Sequence, residues 1–219
     1  MRLPGRYLRP WRMWRKRDLR PSYDVVIIGG GVHGLAIAYE LAKRRVGSVA
    51  VLERRYIGSG GSGRNTTILR ANYRTPEGVA FYRESLRRYE RLSQELDYNL
   101  LFSQQGHLTL AHAERAVITA TERAEVNQLL DVDSRVIGRE EIQALCPALD
   151  VSDRPTHPIV AALYHPPGAV IRHDAVVWAY ARAADRLGVE IHPATEVTGI
   201  VVEGGRVRAV ETSRGRVAV

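Results

Sequence analysis

The sequence predicts an α/β fold: a Rossmann-like dinucleotide-binding βαβ unit, an inserted α+β region, and a return to the nucleotide-binding region that is C-terminally truncated. Three observations predict it. Residues 23–53 read as strand, glycine turn, helix, strand and acid; residues 76–165 alternate helical and strand periods; residues 189–219 are short strands that run out early. The divisions that follow are a basic arm over 1–22 and an incomplete domain over 23–219. Within the domain, 23–75 is the dinucleotide-binding core, 76–165 the insertion and 166–219 the return.

The first strand is Tyr23-Asp24-Val25-Val26-Ile27-Ile28, followed by the turn Gly29-Gly30-Gly31-Val32-His33-Gly34 and a helix to about Arg45. Gly29 permits a tight turn, Gly31 lets the backbone approach a pyrophosphate, and Gly34 allows close helix-strand packing. The helix N-terminus adds partial positive charge for the phosphates. The second strand, Ser48 to Glu53, ends in an acid close to the roughly 20 residues beyond the turn expected of a ribose 2′-hydroxyl ligand. A carboxylate there repels a 2′-phosphate, which favours FAD or NAD over NADP. The competing reading is a glycine-rich turn without ligand, and having strand, helix and acid all in place weighs against it.

Gly58 to Gly63 then breaks regular structure, and Arg64-Asn65-Thr66-Thr67 supplies donors suited to phosphate or flavin edges. Composition alone would make this loop a flexible linker. Its position, leaving the strand that ends in the ribose acid, favours a cofactor loop. Pro76 to Asp97 carries apolar residues at a helical period behind an N-terminal proline. Gly106 to His112 reads as a strand, Glu114 to Leu130 as a helix, and Arg139 to Leu145 as a short helix stopped by Pro147. His107 and His112 read as surface or satisfied histidines rather than ligands. Ile159 to Tyr164 reads as a strand, 165–168 as its turn, and the chain resumes over 169–172. A helix from about Asp174 to Leu187 is ended by Gly188. Strands follow at 189–192, 196–202 and 207–212, and residues 216–219 begin one with no room to finish, the mark of a fragment.

The 219 residues are 45% apolar and 26% charged, the make-up of a soluble globular protein. Cys146 is the only cysteine, so no intrachain disulfide is possible, and no Cys/His spacing suggests a metal site. A reducing cytoplasm fits. No apolar run approaches the roughly 18 residues of a membrane span. The net charge of +8 resides almost wholly in residues 1–20, where eight arginines and lysines face one acid. Tyr7, Trp11 and Trp14 lie among them, so the arm suits a partner subunit, an anionic membrane or nucleic acid. A subunit-docking arm ranks first, a solvated tail next and nucleic-acid binding last.

Several segments together resemble the glycine/sarcosine oxidase and D-amino-acid oxidase superfamily of FAD enzymes, and within it the beta subunits of heterotetrameric sarcosine oxidases. They are Tyr23 to Gly31 with His33-Gly34-Leu35-Ala36; Arg64-Asn65-Thr66-Thr67-Ile68 with Arg70, Asn72 and Tyr73; Phe102-Ser103-Gln104; and Arg172-His173-Asp174-Ala175-Val176 with Trp178 and Ala181 to Asp185. Arg12-Met13-Trp14-Arg15 is similar to the N-terminal extension of those subunits. The resemblance covers nearly all of this chain and about the first half of the family's length.

The resemblance implies an incomplete FAD-dependent oxidoreductase domain over 23–219. Gly29, Gly31, Val32, His33 and Gly34 would line the FAD pyrophosphate, Glu53 the adenosine ribose, and Gly61, Arg64, Asn65, Thr66, Thr67 and Ile68 the flavin side. Val197 would reach the adenine end through its backbone. Arg70 would grip the substrate carboxylate; its plain alternative is a surface arginine. His173, with Arg172 beside it, would carry a second flavin, FMN, bonded covalently through its 8α carbon. A helix start just after His173 favours a neutral, nucleophilic imidazole, and equally a plain helix cap. The activity implied is oxidation of a small N-methyl amino acid, sarcosine, to glycine with formation of hydrogen peroxide. The partners implied are alpha, gamma and delta subunits, with tetrahydrofolate acting through the alpha subunit. A single-flavin amine oxidase or dehydrogenase and a non-catalytic module using the basic arm are the alternatives.

Overall fold

A computed structural model describes residues 13–219, and the readings that rest on Tyr7, Trp11 and the arginines before Met13 lie outside the described residues. Runs of β-branched residues and helical periods give the elements in this order: β1 (Val25–Ile28), α1 (Val32–Lys43), β2 (Val49–Leu52), a 3-10 turn (Gly61–Gly63), β3 (Ile68–Leu69), α2 (Pro76–Glu95), β4 (Ser103–Gln104), β5 (His107–Ala111), α3 (Glu114–Leu129), β6 (Arg135–Ile137), α4 (Arg139–Leu145), β7 (Ala161–His165), β8 (Ala169–Val170), α5 (His173–Arg186), β9 (Glu190–His192), β10 (Val197–Glu203), β11 (Arg206–Thr212) and β12 (Gly215–Ala218). They form two units. One joins the residues up to Asn65 with Leu96–Tyr98 and His173–Val219; the other is Thr66–Glu95 with Asn99–Arg172.

The first unit contains a parallel sheet in the order β1-β2-β9, with Val25 opposite Val49 and Ala50 opposite Glu190. β2 is buried along its whole length, as a central parallel strand must be. Helix α1 buries Leu35, Ala38 and Tyr39, the i, i+3, i+4 spacing of a single face, and the Tyr39 and Tyr180 rings meet edge to face at 5.8 Å. Helix α5 is buried at most of its positions and ends at Gly188, whose φ of +97° is the left-handed cap expected there. The antiparallel strands β10, β11 and β12 add Val210 and Val217 to a core with Tyr23, Ala50 and Leu52.

The second unit holds two antiparallel sheets, β3-β8-β4 and β5-β7-β6, with helices α2, α3 and α4. α4 contributes Ile142 to a core with Ile137, Ile159 and Ala162. α3 packs Ala120 and Ala124 against Leu163, the alternate residue of the same strand.

Three differences from the sequence reading have local causes. The divide between units falls at Asn65/Thr66 and Arg172/His173, against the expected 75/76 and 165/166, because Ile68 and Leu69 pair with Val170 and Ala169. The two-residue strands β3 and β4, and β6, are too short to show a period. The final strand does finish: Gly215 to Ala218 pairs in full with β11, and Ala218 exchanges backbone hydrogen bonds with Pro21 and Tyr23 (2.9 and 3.1 Å).

Candidate functional site

β1 delivers the chain to Gly29, whose φ of +106° excludes a side-chain residue without strain and whose N–H donates to the Leu52 carbonyl (2.8 Å). The turn then enters α1 so tightly that a Cβ on Gly34 would overlap the Gly29 carbonyl oxygen. The N–H of Val32 donates to Ser62 Oγ (2.9 Å), and those of His33 and Gly34, in the first turn of α1, have no intrahelical acceptor by helix geometry. This is an anion-binding end, with backbone N–H groups and the helix dipole aimed the same way. No acidic residue occupies that first turn.

Glu53 follows β2 and is buried. Its Oε2 accepts the Gly30 N–H (2.8 Å), and its Oε1 accepts the Arg55 N–H (2.8 Å) and lies 3.4 Å from the Ser59 hydroxyl. The carboxylate therefore pins the glycine turn, while Oε2, with one protein donor, retains acceptor capacity for a ribose hydroxyl. The glycine loop is no loose linker. The N–H of Gly58 donates to the Gly30 carbonyl (2.9 Å), Ser62 reaches Val32, and Asn65 Nδ2 donates to the Ser62 carbonyl (2.8 Å). Backbone N–H groups of Ala194 and Thr195 donate to the carbonyls of Arg55 and Glu53 (both 2.8 Å), which leads the chain directly to Val197 at the start of β10.

The first unit thus gathers Gly29, Gly31, Val32, His33, Gly34, Glu53, Gly61, Arg64, Asn65 and Val197, and it also contains His173. A dinucleotide fits this chemistry: backbone donors for phosphates, an acid for ribose. His173 is the first residue of α5 and lines a cavity of about 400 Å³ with Arg55, Gly58, Ser62, Arg64 and Trp178. Its Nδ1 is buried and has no hydrogen-bond partner among the described residues.

Thr66, Thr67, Ile68, Arg70 and Arg172 belong to the second unit. Thr67 sits at φ +62°, a strained conformation for a β-branched residue and a frequent mark of a functional segment. Arg70 is no free surface arginine. Its guanidinium donates to Asn72 Oδ1 (3.2 Å) and lies 4.4 Å from the centre of the Tyr73 ring, which stacks on Tyr82 at 3.8 Å. Arg123, from α3, donates through Nε to the Asn72 carbonyl (2.5 Å). Among the described residues neither arginine has an acidic partner, and Asn72, fully buried, keeps an unpartnered Nδ2. Burial and the neighbouring Arg70 and Arg74 push Arg123 down to about 10, so it remains a cation at neutral pH. The same surroundings push His107 down to about 4, through burial first and then Arg70, His165 and Arg123.

His107 is half-buried with an unpartnered Nδ1, so it is neither a surface nor a satisfied histidine, whereas His112 is satisfied by the His157 carbonyl (2.9 Å). Sequence reasoning missed His165, a buried strut that accepts the Ala71 N–H (3.2 Å) and donates to the Asp133 carbonyl (2.6 Å). It also missed Arg123 and Glu190. None has a local signal; each is defined by a partner more than thirty residues away.

The described part of the arm packs on its own chain. Arg15 clasps Asp185 (3.0 Å), Arg17 reaches Glu190 (3.4 Å), and Arg20 pairs with the same Glu190. Tyr23 donates its hydroxyl to Glu190 Oε2 (2.7 Å) and lies 3.1 Å from His192 Nε2. Burial opposes the charge on Glu190, yet Tyr23, Arg20 and Arg17 together hold it below the usual glutamate range. Residues 15–20 are therefore strapped to their own chain, where Arg15, Arg17 and Arg20 share the two carboxylates of Asp185 and Glu190. No helix among the described residues is long and apolar enough to cross a membrane.

A family model described as FAD dependent oxidoreductase matches residues 24–219. The chain is 42% identical to the sarcosine oxidase subunit beta of Arthrobacter sp over 209 residues, covering 95% of this chain and 52% of that protein. It is 47% identical over 203 residues to the sarcosine oxidase subunit beta of Rhizobium meliloti (strain 1021), covering 92% and 49%. The solved structure of L-proline dehydrogenase from P. horikoshii superposes with a TM-score of 0.83 at 30% identity, covering 91% of this chain and 51% of that one. The chain spans about half the length of the relatives it matches.

Proposed function

The chain belongs to the family of FAD-dependent oxidoreductases, and on that premise we propose that it is the flavin-cradling part of a sarcosine oxidase beta subunit, in an enzyme that converts sarcosine, water and oxygen to glycine, a formaldehyde-level one-carbon unit that tetrahydrofolate can accept, and hydrogen peroxide. The observation that carries the reading is the cradle itself: the bare N-terminus of α1 beside a buried Glu53 that holds the glycine turn, in a chain 42–47% identical to two such subunits. FAD, when bound, would supply the two-electron oxidation of the amine, and a covalent FMN would supply the passage of those two electrons on to oxygen. The chain's own part is binding and orientation. The first turn of α1 neutralises pyrophosphate charge, Glu53 accepts a ribose hydroxyl, and Arg70, braced by Asn72 and the Tyr73 face, fixes the substrate carboxylate by a charge-assisted pair. The alpha, gamma and delta subunits, tetrahydrofolate acting through alpha, and a cytoplasmic setting belong to the same proposal.

His173 is assigned as the point of FMN attachment, with Arg172 beside it in sequence. Support comes from its place on a cavity and its buried, unpartnered Nδ1, since an imidazole free of hydrogen-bond obligations is available for a bond to carbon. The test is denaturation of the flavin-loaded protein followed by gel electrophoresis under ultraviolet light. Fluorescent flavin should stay on the polypeptide and be lost in His173→Ala. Absence of protein-bound flavin in the parent would instead identify a single-flavin amine oxidase or dehydrogenase.

A further inference from the structure

Arg70 and Arg123 lie in the same unit against one buried amide, and they spend their guanidinium edges differently. Arg123, reaching in from α3, turns its Nε and Nη2 onto Asn72: both donate to the backbone carbonyl, Nε at 2.5 Å, and Nη2 also meets Oδ1 at 3.2 Å. Arg70 gives Asn72 only its Nη1, 3.2 Å from Oδ1 and 3.5 Å from the carbonyl oxygen. Its Nε and Nη2 have no acceptor among the described residues. Those two nitrogens form the edge on which a guanidinium meets a carboxylate through two parallel hydrogen bonds. The Tyr73 ring, 4.4 Å from Arg70 Cζ, takes up one face of the plane, so Arg70 is held at one corner and one face with that edge left over.

The residue type at 72 bears on the role. Two guanidinium groups around one buried side chain would be held more firmly by a carboxylate. An amide supplies the oxygen without the charge, and both neighbours being donors fixes Oδ1, not Nδ2, toward them. The cost is visible: burial and the adjoining Arg70 and Arg74 push Arg123 down to about 10. The gain is a positive charge that no acid among the described residues cancels.

We infer that Arg123 is a positioning residue for substrate binding: by occupying Asn72 it fixes the oxygen that holds Arg70 Nη1, and so keeps the Nε and Nη2 edge of Arg70 for the carboxylate of an N-methyl amino acid. The inference rests on Arg70 as the carboxylate-gripping group. Arg123's own matching edge is consumed by Asn72, so it acts through Arg70 and not on the substrate.

The test is steady-state kinetics of the flavin-loaded enzyme with sarcosine, and inhibition by acetate, which has the carboxylate and no amine. Arg70→Ala should raise the KM for sarcosine and the acetate inhibition constant about a hundredfold. Arg123→Lys, which keeps the charge and loses the planar fork, should raise both about tenfold with kcat changed less than about twofold. Asn72→Asp should also raise both about tenfold, because its charge neutralises Arg70, while its denaturant midpoint does not fall. A merely structural brace predicts no loss of acetate binding in a variant of undiminished stability. Adding Arg123→Lys to Arg70→Ala should cost no more than about a further twofold, since the group being positioned is gone. Unchanged constants in Arg123→Lys and Asn72→Asp beside a large loss in Arg70→Ala, or losses that multiply in the double variant, would overturn the positioning role and leave Arg70 as the carboxylate group. Unchanged constants in Arg70→Ala would overturn the reading of Arg70, and the positioning role with it.

Discussion

Glu53 and Asn72 are both buried polar side chains, one in each unit, and their surroundings are opposite in kind. Glu53 is met by backbone: the N–H groups of Gly30 and Arg55 donate one to each of its oxygens. Asn72 is met by the guanidinium groups of Arg70 and Arg123, and its own Nδ2 goes unpartnered. The first arrangement uses uncharged main-chain donors and leaves Oε2 with acceptor capacity to spare. The second gathers Arg70, Arg74 and Arg123 without an acid among the described residues. The cradle is thus built by main-chain geometry, whereas the arginine cluster is built by side chains and concentrates positive charge, the arrangement that the proposed carboxylate-binding role of Arg70 requires.

Substitution tests this contrast. The largest effect is expected where main-chain geometry leaves no freedom. Gly34→Ala drives a Cβ into the Gly29 carbonyl, and should cost about 3 kcal/mol or more in denaturant unfolding, with loss of FAD retention. A tolerated alanine would show that the turn is not set by backbone sterics. In the second unit a single side chain should matter less. Arg123→Ala removes a charged donor from the Asn72 carbonyl at a cost of about 2 kcal/mol, and Arg123→Lys, lacking the planar fork, should recover only part of it in the same unfolding experiment.

The smallest effect is one of pH. His107 is depressed to about 4, against an unfolded value near 6.5. The unfolded chain therefore binds more protons between those values, so stability is fully present above about 6.5 and is lost as pH falls toward 4. His165 and His192 are shifted the same way, by burial first. Denaturant midpoints should rise with pH across this window, and His107→Asn should flatten the slope. A midpoint that fell as pH rose would contradict the burial of these rings.

How much was legible in sequence follows the same division. The glycine turn, Glu53 and the left-handed cap at Gly188 were readable because each is a local demand on backbone conformation. Gly34 sits five residues from the carbonyl it must avoid, and Glu53 needs only the spacing of one βαβ unit. The two-residue strands β3 and β4 were not readable, because they carry no period and exist only through pairing with Val170 and Ala169. The basic arm shows the limit of composition. Its charge was evident, yet three of its described arginines are committed to Asp185 and Glu190, more than 160 residues away.

The sequence by itself determined the dinucleotide cradle, the order of the main helices and strands, and the family resemblance, because these rest on φ angles, periodicity and spacing within short segments. The tertiary structure alone decided that Arg70 is braced by Asn72 and Tyr73, that Arg123 joins it, and that His107 and His165 are held neutral. The physical reason is that desolvation and charge act through space. A residue's burial and its neighbours' charges are set by packing between segments far apart in the chain, and no local pattern records them.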